Sequence, residues 1–376
     1  MMPQTFLISA LAIAALVGVA AAQPVQLEST AVVFAYPHTD PYDRHNLYGF
    51  NHAPNVAVMP DGSLLASWFS GAFEGDVHQV ILGAKSSDGG RTWEVAEQIV
   101  DIPRTSDFDP AFAIKNNKVV LLLAAGRWNR YPWVGERAVE NKLVGLDSYR
   151  LYVVTSDDSG ATWSEPQMTL DRRGFSRGNG IVLRDGKILF PVYDDVGGGK
   201  WTTSILRSRD DGMTGQWSGA LNAADGKAGG EPAIVELDNG SVLVATRSRD
   251  GRVWFAESPD AGDTWGEPYA SEFDAATSSH ALLRTKSGRV FLAYNACKPP
   301  ERTALSLREY DQRAKKWSDP FTIVNAPPRA PDAWGSQVSY PSLAEAQDGA
   351  LILVWTEISL APTRQTGIIK SARIKL

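Results

Sequence analysis

The sequence predicts an all-β protein folded as a six-bladed β-propeller, and three observations support this fold class. One short phrase recurs four times, six turns lead into apolar strands, and no segment of useful length shows the apolar period of a helix. The chain has 376 residues, of which 43% are hydrophobic. It is therefore long enough to close one repeat array around a large core.

The recurring phrase has the pattern Ser-x-Asp-x-Gly-x-Thr-Trp. Its copies are SSDGGRTW from Ser86, SDDSGATW from Ser156, SRDDGMTGQW from Ser208 and SPDAGDTW from Ser258, the third with two extra residues before the Trp. Asp and Gly are typical of a tight turn, and the Trp supplies an apolar side chain that closes a small core. Copies roughly 50 to 70 residues apart have the spacing of propeller blades.

A second repeat predicts the number of blades. Six segments join a polar turn to an apolar strand: PDGSLLASW from Pro60, NNKVVLLLA from Asn116, RDGKILFPV from Arg184, DNGSVLVAT from Asp238, KSGRVFLAY from Lys286 and QDGALILVW from Gln347. Each is interpreted as a two-residue hairpin turn entering a strand. Six hairpins imply six blades of four antiparallel strands, with a degenerate copy of the phrase ending at Trp317 in blade five. Residues 368–376 are expected to pair with a strand near 31–36 and close the ring.

The N-terminal segment predicts export. An apolar run at 6–19 is followed by three alanines, which predicts a signal peptide at 1–22 and a mature propeller at 23–376. No Lys or Arg precedes the run, so a buried first strand or an uncleaved anchor remains the alternative. A secreted or periplasmic protein without stable membrane insertion is expected. Cys297 is the single cysteine, which excludes an intrachain disulfide and a cysteine metal site.

Charge and composition favour a glycan as the partner. The net charge is −6 and no block of Lys or Arg is present, which argues against nucleic acid. The chain has 12 Trp, and those outside the repeats are candidates to stack on sugar faces. No cofactor is expected. No metal centre is predicted, because the sequence has no closely spaced histidines. Loop carboxylates such as Asp194 and Asp195 are candidate ligands of a calcium ion. The sequence does not indicate an oligomeric state.

Polar residues upstream of the six turns are the candidate site. In a propeller the first strand of each blade lines the central channel, so these residues are expected to converge on the axis. They are His52, Asp109, Arg177, Glu231, His280 and Tyr340. Six polar, titratable or aromatic groups at one register indicate a catalytic pocket. The polar segment 127–150 is expected to form a loop at the pocket wall.

The repeated phrase is the Asp-box, and the chain resembles the sialidase superfamily, in particular its bacterial branch of BNR-repeat proteins. The resemblance implies an exo-glycosidase that hydrolyses a terminal acidic sugar. It uses a Tyr nucleophile activated by Glu, an Asp as acid/base, and arginines for the substrate carboxylate. On this resemblance Glu231 and Arg247 match the segment EPAIVELDNGSVLVATR, and Tyr340 matches SYPSL. Arg302 matches a second arginine of the cluster.

The acid/base of the family matches a loop of this chain. Asp76 is the first choice for that role, and Glu74 is the second.

The chain departs from the family at its first blade. Family members carry an Arg-Ile-Pro phrase whose Arg binds the substrate carboxylate, whereas this chain has His52-Ala53-Pro54. Imidazole does not reproduce a bidentate guanidinium–carboxylate pair. Arg177 or Arg127 are candidates to supply the missing cation from another blade.

His52 also opens a different interpretation. Its phrase resembles propeller polysaccharide lyases and rhamnose–glucuronate-cleaving enzymes with a central His. Such a lyase needs a base for the proton next to a uronate carboxylate, a cation for the resulting enolate and an acid for the leaving oxygen. His52 or His280, together with Tyr340 and Arg247, are the candidates for these roles. A non-catalytic glycan-binding propeller is the third alternative. The other histidines, His38, His45 and His78, are interpreted as incidental.

Overall fold

The computed structural model describes residues 25–40, 43–127, 149–169, 173–197, 199–209, 215–218, 223–327, 335–361 and 364–376. The predicted signal peptide at 1–22 lies outside these residues, as does nearly all of the loop predicted at 127–150. Within these ranges, the structure contains no helix with the length and apolar character to cross a membrane.

The described residues form six antiparallel sheets, and the first half of the chain builds three of them. The first strand, β1 (Gln26–Phe34), belongs to the last sheet. Blade one contains β2 (Phe50–Val58), β3 (Leu64–Gly71), β4 (Val80–Ser86) and β5 (Glu97–Val100). Blade two contains β6 (Thr105–Lys115), β7 (Lys118–Arg127), β8 (Tyr149–Ser156) and β9 (Gln167–Met168). Blade three contains β10 (Phe175–Ser176), β11 (Ile181–Val182), β12 (Ile188–Asp195), β13 (Trp201–Ser208) and β14 (Gln216–Trp217).

The second half of the chain builds three further sheets after a 3₁₀ turn at Ala224–Gly226. Blade four contains β15 (Ala228–Glu236), β16 (Val242–Ser248), β17 (Arg252–Ser258) and β18 (Tyr269–Asp274). Blade five contains β19 (Ala281–Arg284), β20 (Val290–Asn295), β21 (Ala304–Asp311), β22 (Lys316–Trp317) and β23 (Phe321–Asn325). Blade six contains β24 (Gly335–Glu345), β25 (Leu351–Ala361) and β26 (Arg364–Lys375), with β1 as its fourth strand.

The ring closes by pairing the two ends of the described chain. β1 pairs antiparallel with β26, with Gln26 opposite Lys375 and Phe34 opposite Ile369. The predicted closure is confirmed, and the N-terminal strand begins earlier than the sequence pattern indicated. A closed ring leaves no blade that lacks a neighbour on either side.

The innermost strands surround a central axis. Six inner strands pack against one another in the order β2, β6, β11, β15, β19 and β24, and β24 packs back against β2. β2 is buried along almost its whole length, whereas the outermost strand of the same blade, β5, is mostly exposed. Neighbouring blades cover the inner strands, which explains why even the polar residues of β2, such as Asn51 and Asn55, are buried.

The six predicted hairpins are present, and the structure corrects their length. In five of them three residues separate the hydrogen-bonded ends, as at Met59, whose N–H donates to the Ser63 carbonyl at 2.7 Å. Gly62 in that loop has a φ of 87°, which favours glycine. This is the three-residue hairpin with a left-handed third residue. The hairpin between Lys115 and Lys118 is the one with a two-residue loop.

The first, second and fourth repeated phrases form turns on the outside of the blades, and residues 210–214 of the third lie outside the described ranges. In the first copy Asp88 accepts hydrogen bonds from the Thr92 N–H at 2.9 Å and the Thr92 hydroxyl at 2.6 Å. The second and fourth copies make the same contacts. The Trp of a copy packs against the preceding blade, as Trp93 does by donating to Ser371 of blade six at 2.9 Å. The turn of the first copy therefore joins blades six and one.

Candidate active site

Four inner strands carry the same distortion at one level of the ring. A residue that precedes a proline has positive φ: 52° at Ala53, 51° at Asp109, 45° at Glu231 and 58° at Tyr340. The register of each strand with its neighbour shifts at this point. Proline has no N–H for the sheet, and the extra residue forms a bulge that redirects the flanking side chains. The bulges explain why four side chains reach one cavity. They are Asp109, Glu231, Tyr340 and His52, which is the residue before Ala53.

Blades three and five contribute their polar residues differently. Arg177 follows β10, and a Cβ on the next residue, Gly178, would lie 2.4 Å from the Pro232 carbonyl oxygen. Glycine is therefore required at position 178, where blade three packs against blade four. His280 precedes β19 directly, and both Arg177 and His280 are buried. The six residues that the sequence predicted to converge thus lie on the innermost segments of their blades.

A cavity of about 340 Å³ opens among these segments. It is lined by His52, Phe69, Glu74, Gly75, Phe108, Asp109, Tyr149, Phe175, Tyr193, Glu231 and Tyr340. Successive aromatic rings form one wall, with centroids 5.1 Å apart for Phe69 and Phe108 and 4.5 Å apart for Tyr149 and Phe175. Such a wall suits the apolar face of a sugar ring.

Sequence reasoning missed this aromatic wall. It expected tryptophan, but no tryptophan of the described residues lines the cavity. Trp201 instead packs behind the site, with its ring centroid 5.1 Å from the guanidinium carbon of Arg247. The sequence offers no signal for Phe69 and Phe175, because both are apolar residues of buried strands, as core residues are.

Tyr340, Glu231 and Arg247 form the chemical centre of the cavity. The Tyr340 hydroxyl donates to Glu231 Oε1 at 2.6 Å. Arg247 Nη1 lies 2.6 Å from the same carboxylate oxygen and 2.8 Å from the Tyr340 hydroxyl. Glu231 and Tyr340 come from blades four and six, so the ring closure determines this contact. The arrangement places a hydroxyl beside a carboxylate that is able to take its proton.

Burial and charge set the protonation states of this group. Burial raises the pKa of the Tyr340 phenol well above its ordinary value, with Glu231 adding to the shift. Burial alone would lower the pKa of Arg247, but the adjacent Glu231 and Tyr340 raise it instead. The resting site therefore holds a neutral phenol and an ionised guanidinium, both in contact with Glu231.

Two further arginines and His52 surround the Tyr340 ring. The His52 ring packs against it in a tilted arrangement, with centroids 4.1 Å apart. The guanidinium carbons of Arg177 and Arg302 lie 5.2 Å and 5.7 Å from its centre. Arg302 Nη2 donates to the Thr277 carbonyl at 2.7 Å. Arg302 is partly exposed, and Arg247 and Arg302 are the arginines of this group with access to a ligand.

Arg177 has a structural position behind the nucleophile candidate. Its side chain is 1% exposed, and it donates to the backbone carbonyls of Pro54 at 3.2 Å and Pro341 at 3.4 Å. It therefore joins blades three, one and six beneath the cavity. Its burial lowers its pKa, and the neighbouring Asp109 opposes this effect.

Three acidic residues are candidates for proton transfer. Asp76 accepts hydrogen bonds from the N–H groups of Ala72 and His78, both at 3.1 Å, so its carboxylate caps its own turn. Glu74, on the same loop, lines the cavity at its exposed mouth. The concave surroundings raise the pKa of Glu74, and Glu231 adds to this effect.

Asp109 lies deeper in the cavity and is 7% exposed. Burial raises its pKa to about 8, although Arg177 opposes this shift. The cavity thus contains two carboxyl groups, Glu74 and Asp109, whose pKa is higher than usual.

The remaining sequence-predicted residues lie elsewhere. Arg127 is exposed at the end of β7, and the loop that follows it is outside the described residues. The incidental histidines are exposed and do not line the cavity: His38, His45 and His78.

The two carboxylates considered as calcium ligands, Asp194 and Asp195, have protein partners. Asp194 pairs with Arg173 at 2.8 Å, and Asp195 accepts the N–H of Gly197 at 2.9 Å. Across the described ranges, no three His, Cys, Asp or Glu side chains are grouped to hold a metal ion.

Comparison with protein families gives one match over most of the chain. The model described as a BNR repeat-like domain matches residues 62–353. The sialidase of Micromonospora viridifaciens is 27% identical over 333 residues, which are 80% of this chain and 49% of that protein. The chain thus spans about half the length of this curated relative.

Solved structures share the fold at low identity. A protein of unknown function from Dyadobacter fermentans superposes with a TM-score of 0.74 and 18% identity, over 94% of this chain and 99% of that one. The NanB sialidase of Streptococcus pneumoniae superposes with a TM-score of 0.70 and 12% identity, over 92% of this chain and 70% of that one. These likenesses concern the fold alone.

Proposed function

We propose, from the premise that the chain belongs to the family of BNR repeat-like domains within the sialidase superfamily, that it is a retaining exo-glycosidase acting on a terminal acidic sugar. The resemblance drawn from the sequence repeats is confirmed at the level of the superfamily and fold. The reaction, the substrate and export to a secreted or periplasmic location are our proposals.

The contact between Tyr340 and Glu231 carries the proposal. At 2.6 Å, Glu231 is positioned to accept the phenolic proton while the Tyr340 oxygen attacks the anomeric carbon. A neutral nucleophile suits a sugar whose anomeric carbon bears a carboxylate, because an anionic nucleophile would be repelled. Burial raises the pKa of Tyr340, so the phenol is protonated at rest and requires this base.

We propose the acid/base residue from its place at the mouth of the cavity. The leaving group departs towards solvent, so its proton donor belongs at the rim. Glu74 lies there and its pKa is raised, which favours the protonated form that an acid catalyst requires. We therefore favour Glu74 for this role. Asp76, the first choice from the sequence, remains the alternative on the same loop.

Arg247 and Arg302 are proposed to bind the substrate carboxylate. Both approach Tyr340, and guanidinium groups bind carboxylates through paired hydrogen bonds. The buried Arg177 contacts backbone carbonyls and is proposed to support the cavity rather than touch the sugar. Asp109 is proposed to bind a sugar hydroxyl.

The test is hydrolysis of a fluorogenic sialoside by the full chain and its variants. We expect Tyr340→Phe and Glu231→Gln each to lose at least about 100-fold in turnover, because each removes one partner of the nucleophile pair. Tyr152→Phe, which makes the same chemical change in blade two outside the cavity lining, is the matched control and should keep the wild-type rate. An inactive wild type, or an active Tyr340→Phe, contradicts the proposal.

A uronate-directed lyase is the second candidate, and the environment of His52 favours it. Burial lowers the pKa of His52 well below its ordinary value, so the imidazole is neutral and able to accept a proton beside Arg302. Uronate-containing polysaccharides should then yield an unsaturated product that absorbs ultraviolet light, and His52→Ala should lose it. A glycan-binding propeller without activity would bind sugars and turn over neither substrate.

A further inference from the structure

The His52 imidazole is enclosed at the wall of the cavity with an unused ring nitrogen. The residue is 5% exposed and its ring packs at a tilt against Tyr340, with Phe69 edge-on at a centroid distance of 5.6 Å. Nδ1 is buried, and nothing in the described part of the chain donates to it or accepts from it. A buried polar atom without a partner normally indicates a missing ligand, water or function.

The charges around this imidazole come from several blades. Positive charge faces it from Arg302, Arg177 and Arg247. The acidic and phenolic groups that share the cavity are Glu74, Asp109, Glu231, Tyr149, Tyr193 and Tyr340. Burial is the largest cause that lowers the pKa of His52, and the three arginines add to it. In the empty cavity the imidazole is therefore neutral at neutral pH.

A substrate carboxylate would oppose this lowering of the His52 pKa. Bound at Arg247 and Arg302, it would offset their positive field and add a negative charge close to the imidazole. An opposite charge at that range favours the charged form of a histidine by about 1–3 pK units. The imidazole then takes one proton from solvent, both ring nitrogens become donors, and the ring carries a positive charge.

We infer that His52 is a specificity residue that takes up a proton when an anionic sugar binds, so that the site recognises the carboxylate more strongly as the pH falls. The inference rests on the proposed function, because it requires a carboxylate at Arg247 and Arg302. An arginine at this position would be charged at every physiological pH and would bind the same group without proton uptake. The third positive charge of the site, on the His52 imidazole, thus depends on the bound ligand and on the pH.

Calorimetric titration of the full chain tests this inference. The ligand is the 2,3-didehydro derivative of N-acetylneuraminic acid, and its methyl ester is the uncharged control. Binding is measured at about pH 5.5 and about pH 7.5, on either side of the ordinary pKa of histidine, in buffers with different heats of ionisation. The dependence on buffer gives the number of protons taken up. His52→Gln and His52→Arg are compared with the wild type.

We expect the wild type to take up more protons with the acid than His52→Gln does, with the difference approaching one at the lower pH. Glu74 and Asp109 also titrate, but both are unchanged in His52→Gln, so this difference isolates the imidazole. The methyl ester should abolish the difference. His52→Arg should bind the acid at both pH values with the uptake of the Gln variant.

The outcomes separate the inference from the function on which it rests. Equal uptake by the wild type and His52→Gln overturns the role of His52 while leaving an acidic-sugar site. Failure of the acid to bind either the wild type or His52→Arg overturns the proposed function, and the inference with it. If His52→Gln does not fold, the imidazole nitrogen shifts of His52 in the wild type replace it, and a ring that stays neutral in the complex overturns the inference.

Discussion

Tyr340 and Glu231 make their contact from backbone conformations that few non-glycine residues adopt. Their φ angles are 58° and 45°, and Asp109 has the same left-handed conformation at 51°. Each such residue costs about 1–3 kcal/mol and persists where the surrounding structure dictates it. Here the strain coincides with the side chains that line the cavity, so part of the stability of the ring is used to position them.

Asp109 is the residue whose titration should be visible in the stability of the protein. Burial raises its folded pKa to about 8, whereas an unfolded aspartate titrates near 4. Between these values the folded state holds a proton that the unfolded state has released. The free energy of unfolding should therefore fall as the pH rises through this range, by up to about 1.4 kcal/mol per pH unit.

The buried histidines change the free energy of unfolding with pH in the opposite direction, so they limit the pH range of the measurement. Burial lowers the pKa of His280 to about 4 and that of His52 well below its ordinary value, so stability is lost as the pH falls below about 6.5. Denaturant unfolding between about pH 6.5 and pH 8 therefore reports the buried carboxyl groups. We expect Asp109→Asn to flatten the decline and the exposed control Asp101→Asn to keep it. An unchanged slope in Asp109→Asn contradicts the assignment.

The sequence could predict the polar residues of the site but not all of their neighbours. Four residues were identifiable because a polar or aromatic group recurring at one register upstream of the turns lacks a packing explanation: His52, Asp109, Glu231 and Tyr340. Phe175 of the aromatic wall was not, because an apolar residue in a buried strand has the same pattern whether it faces a cavity or another blade. That distinction depends on how the blades pack.

At the scale of the element, the repeated turns determine how adjacent blades meet. Asp88 satisfies two backbone N–H groups of its turn, those of Arg91 and Thr92, and also accepts from the Ser86 hydroxyl. These hydrogen bonds, chiefly those of Thr92, lower the pKa of Asp88 to about 2 against the opposing effect of burial. The side chain therefore acts as a cap for the turn that carries Trp93.

We expect Asp88→Ala to lower the free energy of unfolding by about 1 kcal/mol, the usual cost of losing a side chain that caps backbone N–H groups. Thermal or denaturant unfolding of the variant measures this loss. Asp157→Ala, which removes an exposed carboxylate beside the capping Asp158 of the second copy, is the matched control and should have little effect. Equal stability of the two variants would exclude a capping role for Asp88.

The turn sequences predicted the existence of these elements better than their geometry. Asp61-Gly62 is compatible with a two-residue or a three-residue loop, and the pairing of Met59 with Ser63 selects the longer one. Likewise, Asp76 and Glu74 are two residues apart in one loop. Which of them reaches the cavity is decided by Asp76 capping its own turn, and spacing alone does not reveal this.

At the scale of the whole molecule, ring closure creates the site. Arg373 of β26 pairs with Glu28 of β1 at 2.8 Å and donates to the Gly89 carbonyl in the first repeated turn at 2.9 Å. One buried side chain therefore holds the N-terminal strand within blade six and joins this blade to blade one. With the ring closed, Glu231 and Tyr340, 109 residues apart in sequence, come within hydrogen-bond distance. The order of blades was predictable from repeats, but this contact required the folded ring.

The most direct measurement is the capture of the covalent intermediate on Tyr340. A 2,3-difluorinated sialic acid should react with the full chain by forming a bond from the Tyr340 oxygen to the anomeric carbon, as fluoride leaves and Glu231 takes the phenolic proton. The fluorine at C3 slows release of the sugar, because it destabilises the oxocarbenium-like transition state. Mass spectrometry of digested protein should find one glycosyl group on the peptide that contains Tyr340, and none in Tyr340→Phe. A glycosyl group on another residue, or an unlabelled wild type, would contradict the account.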